Sequence, residues 1–155
     1  MPSVHAVARR RATPQTSRHP ATKSGRHVAR ATPMRVVVVD DHEDIRAIFS
    51  EVLGAAGWSV RSYADAPSAL AGIAEDPPDL VLTDINLGGL SGRALARTVR
   101  ADPRTSHIGI VAASGSVAPS SAMMRMFDLF LVKPVELSTL SDLLIAVLEN
   151  RADQS

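Results

Sequence analysis

Four stretches of this 155-residue sequence end in residues that could share phosphate or metal chemistry. Asp40 and Asp41 follow the aliphatic run Val36 to Val39, Asp84 follows Leu80 to Thr83, Ser114 follows Ile108 to Ala113, and Lys133 follows Leu129 to Val132. Three carboxylates brought close together repel one another and cannot all stay ionised without a cation. Oxygen ligands with room for water suit Mg²⁺ or Mn²⁺, whereas zinc would ask for His or Cys. Such a cation, with a lysine ammonium and a hydroxyl, is what a phosphoryl group needs: charge neutralisation on its oxygens and an open line of attack. Lys133 is the only lysine from Met34 onward, against nine arginines, so a compact ammonium rather than a planar fork is wanted there.

Each of these residues has a plainer use when taken alone. Asp40 or Asp41 could cap a helix, Asp84 could be a solvated loop acid, Ser114 a turn residue and Lys133 a strand-end charge. Their coincidence at four strand ends is what carries the chemical reading. His42 follows the aspartate pair, but no second His lies at metal-ligand spacing, which makes it a spacer. Met123, Met124 and Met126 read as core filler.

The elements that must hold these residues alternate in period. Arg35 to Val39 is an aliphatic strand, and Ile45, Ile48, Phe49, Val52, Leu53 and Ala56 recur at helical spacing until Gly57. Trp58 to Tyr63 is a second strand, Asp65 and Pro67 open a second helix, and Pro77 and Pro78 stop it. Leu80 to Thr83 is the third strand, and Ser91 caps a helix carrying Leu95, Ala96 and Val99. Ile108 to Ala113 is the fourth strand, residues 118–126 a short helix, Leu129 to Val132 the fifth strand, and Leu137 to Leu148 mark the last helix. Five strand and helix pairs in strict alternation predict an α/β fold, a doubly wound five-stranded parallel sheet covered on both faces. In such sheets function collects at the carboxyl ends of the strands, where the four stretches converge.

At these residues the chain resembles the receiver domain of two-component response regulators, over roughly residues 34–150. The likeness rests on VVVVDD at 36–41, DLVLTDINLGGLSG at 79–92, the hydroxyl of Ser114 and LVKP at 131–134. It implies the flavodoxin-like receiver fold and a phosphoacceptor, Asp84, charged from the phosphohistidine of a histidine kinase or phosphotransfer protein. Asp40, Asp41, Asp84 and the backbone carbonyl of Asn86 would hold Mg²⁺ or Mn²⁺. Ser114 would hydrogen-bond the phosphoryl group, Lys133 would pair with it, and Phe130 matches the family's switch aromatic. The resemblance further implies a cytoplasmic protein that catalyses its own phosphotransfer and dephosphorylation without being an enzyme, and that signals by contact with a downstream protein target.

Two departures fall on the family's output face and loop, not on its chemistry. Gly88 stands where proline is common, and Met126 or Phe127 stands where a glycine usually ends a fourth helix that here looks short. No effector module is legible after the last helix, so a single-domain regulator is expected. A non-phosphorylated pseudo-receiver acting as a binding adaptor is the alternative, but it would lack a pocket acid or the lysine. A cobalamin-binding loop fails at Ile45, where a glycine is required, and an Asp-x-Asp phosphatase fails at Asn86.

Composition bounds the rest. The chain has no cysteine, which excludes disulfide frameworks, zinc ribbons, iron-sulfur clusters and thiol nucleophiles. No aliphatic run is long enough to span a bilayer. The net charge of +1 conceals a split: residues 1–33 carry seven bases and no acid, whereas residues 34–155 carry ten bases and all sixteen acids. Residues 1–33 are expected to be a disordered basic arm, residues 34–150 the receiver and residues 151–155 a tail. The arm reads as a transit peptide, a nucleic-acid or anionic-surface arm, or upstream sequence attached by a misassigned start with Met34 as the real one. It lacks aromatics for base stacking, and nucleic-acid binding is expected only through it, if at all. A chain begun at Met34 is predicted to keep the melting temperature and phosphorylation rate of the full chain, by calorimetry and phosphotransfer assay. Tight, salt-sensitive DNA binding by the long form alone would make the arm functional.

Overall fold

A computed structural model describes residues 32–115 and 120–154. The basic arm through residue 31, and residues 118 and 119 of the expected fourth helix, lie outside the described residues. Five strands, β1 (Arg35–Val39), β2 (Ser59–Tyr63), β3 (Leu80–Asp84), β4 (Gly109–Ser114) and β5 (Leu129–Val132), form one sheet. They alternate with helices α1 (Glu43–Ala55), α2 (Ala66–Glu75), α3 (Gly92–Ala101), α4 (Ser121–Met126) and α5 (Leu137–Gln154). All strand pairs are parallel and the order is β2-β1-β3-β4-β5, the doubly wound sheet expected from the alternation.

The two-residue period of the strands divides the core into two layers. Val37, Val39, Val81, Ile110 and Ala112 pack with Ala69 and Ile73 of α2 and Leu95, Ala96 and Val99 of α3. Val36, Val38, Leu80, Leu82, Val111 and Ala113 pack against Phe49 and Leu53 of α1 and Leu140, Leu144 and Val147 of α5. Val36 to Val39 are all at most 1 % exposed, because a central strand covered on both faces has no solvent side. Both faces of β1 and β3 are thus fixed, and so is the position of the residues at their ends.

Local signals set the boundaries. After α1 the Gly57 N–H donates to the Gly54 carbonyl at 3.0 Å and the Trp58 N–H to the Leu53 carbonyl at 3.0 Å. This is a Schellman closure, and the φ of +101° at Gly57 is the left-handed conformation it requires. Asp65 caps α2 by accepting the Ser68 N–H at 2.8 Å, and Ser91 caps α3 by accepting the Ala94 N–H at 3.1 Å.

Several boundaries differ from the sequence expectation, and β2 begins at Ser59 rather than Trp58. β3 and β4 each run one residue further, so that Asp84 and Ser114 are the last residues of their strands and share their burial. α4 has only six residues, with Met123 and Met126 against the core and Met124 exposed. Residues 151–154, expected as a tail, continue α5, because Arg151 is tied back onto the domain. Its guanidinium donates to Asp128 at 2.7 Å and to the His107 carbonyl at 3.0 Å.

Asp128 also receives Arg100 from the end of α3 at 3.0 Å, and accepts the Ile110 N–H at 2.8 Å. Arg100 further donates to the carbonyls of Met126, Ser106 and Ile108, at 3.2, 3.0 and 2.6 Å. Burial pulls this guanidinium down from its ordinary value, and the Asp128 carboxylate counters the effect. One cation therefore satisfies three backbone carbonyls and a carboxylate at the amino-terminal edge of the sheet. Arg100→Met keeps the apolar stem and removes these donors, leaving acceptors unpaired. It is expected to cost about 2–3 kcal/mol, discounted for partial solvent access, and to lower the urea midpoint at unchanged m. An unchanged midpoint would show that water replaces the guanidinium at no cost.

Candidate functional site

The site lies at the carboxyl ends of β1, β3 and β4, where the chain after β1 goes to one side and β3 lies on the other. Asp40 leaves β1 directly and is 1 % exposed. Its N–H donates to the Tyr63 carbonyl at 3.2 Å and its carbonyl accepts from Arg46 of α1 at 2.8 Å, so its backbone is held from both sides. Its carboxylate accepts the His42 N–H at 2.9 Å, which fixes the side-chain direction. Asp41 is exposed. Asp84, at 6 % exposure, ends β3, and one of its carboxylate oxygens accepts the Asn86 N–H at 3.3 Å.

Lys133 closes the site from β5. Its N–H donates to the Ser114 carbonyl at 2.9 Å, continuing the β4–β5 ladder one step beyond Val132. The ammonium then lies 3.3 Å from Asp40 and 3.5 Å from Asp84. Ser114 itself is buried at the end of β4. Asp40, Asp41, Asp84 and Lys133 therefore converge as expected, and Ser114 stands on the strand beside Asp84, where Asp84 pairs with Ala113. Asn86 is exposed in the following loop. Phe130 does not join this rim. It is half-buried on the α2 and α3 face of the sheet, edge-on to Phe127 with ring centroids 5.1 Å apart.

Gly92 is the backbone requirement of the site. Its N–H donates to the Ile85 carbonyl at 2.9 Å. A Cβ there would collide with the Asp84 carbonyl oxygen and stand 3.0 Å from Ile85 Cα, both rigid backbone. The start of α3 is thus laid directly on the residue that ends β3. Gly88 carries no such demand, since a Cβ there would meet only Asp41 at an ordinary 3.9 Å.

Electrostatics favour a cation. Burial pushes the Asp84 carboxyl up from its ordinary value; Lys133 pulls it down and Asp40 pushes it further up. Carboxylate oxygens of Asp40, Asp41 and Asp84 and a ring nitrogen of His42 all lie within 4.8 Å of one another. A donor set dominated by hard carboxylate oxygens, one of them disfavoured as an anion by its burial, fits a divalent cation. His42, a spacer by its sequence context because no second histidine stands at ligand spacing, has its ring beside the acids here, and Arg46 and Gly92 carry no sequence signal because their work is on backbone groups.

The comparisons with known proteins agree with this geometry. Residues 36–145 match the family model of the response regulator receiver domain, and the chain belongs to that family. It is 32% identical over 121 residues to the transcriptional regulatory protein PrrA of Mycobacterium tuberculosis, which covers 77% of this chain and 52% of that protein. It is 38% identical over 77 residues to the response regulator PleD of Caulobacter vibrioides, or 50% of this chain and 17% of PleD. The chain thus spans about half or less of the length of these relatives. Among solved structures, the chemotaxis response regulator CheY4 of Vibrio cholerae superposes with a TM-score of 0.70 at 28% identity, covering 75% of this chain and 99% of that one. Among the described residues no helix is long and apolar enough to cross a membrane.

The raised Asp84 value has a signed consequence for stability. A carboxyl that binds its proton more tightly when folded contributes stability below its ordinary value near 3.8, and loses it as pH rises through the raised value. At neutral pH without divalent cation the ionised Asp84 therefore costs stability. Asp84→Asn is expected to melt about 2–4 °C higher than the native chain at pH 7 in chelator, with the gap closing as pH falls through the raised value toward 3.8. A variant that melts lower at neutral pH would place the stabilising pair with Lys133 above the burial cost.

Proposed function

We propose that the chain is the phosphoacceptor receiver of a two-component relay, with Asp84 as the acceptor and a phosphohistidine of a kinase or phosphotransfer protein as the donor. The observation that carries this reading is the juxtaposition at β3: a buried carboxylate whose ionisation is opposed by burial and by Asp40, with an ammonium 3.5 Å away. The oxygen of Asp84 attacks phosphorus as the phosphorus–nitrogen bond of the donor breaks, leaving an acyl phosphate on the chain and a neutral imidazole on the donor. Lys133, already beside Asp84, pairs with the incoming anion. The Ser114 hydroxyl, one strand over, donates to a phosphoryl oxygen, and the Asn86 N–H steadies the other oxygen of Asp84.

Asp40, Asp41, Asp84 and the Asn86 carbonyl would hold Mg²⁺ or Mn²⁺. When bound, the cation supplies neutralisation of the carboxylates and of the phosphoryl oxygens. Water attack on the acyl phosphate returns the carboxylate, so the chain turns itself off. The phosphorylated state is read by a protein target, through the face of α4, β5 and α5 in which Met124, Val132 and Leu137 are exposed. Phe130 and Ser114 form the switch between pocket and face. The same reading makes the chain cytoplasmic.

Acetyl phosphate should add one phosphoryl group to the chain, detected by intact mass, only with Mg²⁺ or Mn²⁺ present. Asp84→Asn should abolish labelling, and Lys133→Ala should slow it by about 10²-fold. Undiminished labelling of Asp84→Asn, or labelling indifferent to chelator, would overturn the assignment in favour of an unphosphorylated adaptor.

A further inference from the structure

We propose that His42 supplies a nitrogen ligand to the cation of the acidic pocket, and that the pocket consequently prefers Mn²⁺ and other first-row transition ions to Mg²⁺. The inference rests on the proposed metal site and extends it by one residue and one consequence. His42 stands at the N-cap of α1, where Ser, Thr, Asp or Asn would be the usual choice. Its backbone there is extended, with φ −92° and ψ 116°, and its side chain makes no capping hydrogen bond. Helix formation therefore gives no reason for an imidazole at this position.

The ring is turned toward the pocket instead. Nδ1 lies 3.2 Å from a carboxylate oxygen of Asp40 and 3.2 Å from one of Asp41. Together with Asp84, these donors fall within 4.8 Å of one another, a few tenths of an ångström wider than opposite ligands on one ion, so small side-chain shifts would draw them onto it. The direction of the ring is supported by the backbone, since the His42 N–H is itself held by Asp40 at 2.9 Å. The histidine side chain is 66% exposed, so turning its lone pair to an ion carries little desolvation cost.

The consequence follows from ligand chemistry. Carboxylate and carbonyl oxygens suit Mg²⁺ and Mn²⁺ alike, but an imidazole nitrogen suits transition ions and adds little for Mg²⁺, which keeps its waters. With His42 in place of a water, affinity rises for Mn²⁺ and stays level for Mg²⁺. The competing geometry is an Nδ1–H that donates to Asp40 and Asp41 and so acts as a second internal cation beside Lys133.

Calorimetric titration of the full chain with Mn²⁺ and with Mg²⁺, compared with His42→Ala and His42→Gln, tests the proposal, with pulsed EPR of bound Mn²⁺ as the spectroscopic readout. Both variants should lose about tenfold or more in Mn²⁺ affinity and less than twofold in Mg²⁺ affinity. The native chain should show a nitrogen coupling to Mn²⁺ that both variants lack. Equal losses for the two ions would reduce His42 to orienting the carboxylates, tighter binding in His42→Ala would make it the internal cation, and an absent nitrogen coupling would remove it from the coordination sphere; each overturns the proposal. Asp84→Asn separates this from failure of the site itself: if it leaves binding of both ions intact, the acidic pocket is not the metal site.

Discussion

Two carboxylates that are almost wholly buried, Asp40 and Asp84, share the ammonium of Lys133 at 3.3 and 3.5 Å. Two negative charges against one positive charge leave a deficit, and burial first and Asp40 second push the Asp84 carboxyl up against the pull of Lys133. The rest of the domain has to hold this deficit in place. β1 and β3 are hydrogen-bonded neighbours buried on both faces, so the acids at their ends cannot separate without breaking the middle of the sheet. Arg46, Tyr63 and Gly92 fix the backbone of the same residues, and β5 delivers the lysine through its ladder with β4.

That constraint is what would let the site take up a cation. An acidic pocket already satisfied by two internal cations would have no use for another. One left short by a charge would attract a cation, and on the proposed reading that cation would admit an anionic phosphoryl group. The fold supplies the deficit through burial, which position in a central parallel sheet imposes without any special residue.

Much of this was legible in the sequence because it depends on period and punctuation. Aliphatic runs of four or five residues gave β1 and β3, Gly57 and Asp65 marked helix ends, and strand ends placed Asp40, Asp84, Ser114 and Lys133 on one rim. What escaped was carried by backbone groups and by distant partners. Nothing in the local sequence around Arg100 says that it satisfies carbonyls of the loop before β4 and of the end of α4, or that Arg151 extends α5 by reaching Asp128. The place of His42 was not legible for a different reason: a motif search asks for repeated ligands in sequence, whereas the fold brings its ring nitrogen within 4.8 Å of acids contributed by two strands.

The two edges of the sheet are built by opposite electrostatic rules. At the amino-terminal edge, Asp128 has two guanidinium partners and a backbone donor, and Arg100 spends its remaining donors on loop carbonyls, so charges and hydrogen bonds are over-satisfied. At the carboxyl edge the acids outnumber the cation, and the loops carrying Asp41 and Asn86 lie open to solvent. A domain whose net stability is only about 5–15 kcal/mol tolerates an under-compensated site because other regions are over-determined. The clamp at one edge ties α3, α5 and the start of β5 together, and all of the strands run from that clamped edge toward the pocket. On the proposed reading, a change of charge in the pocket would be taken up at Ser114 and Lys133 and along β5 at Phe130, while the clamped amino-terminal edge of the sheet would stay fixed.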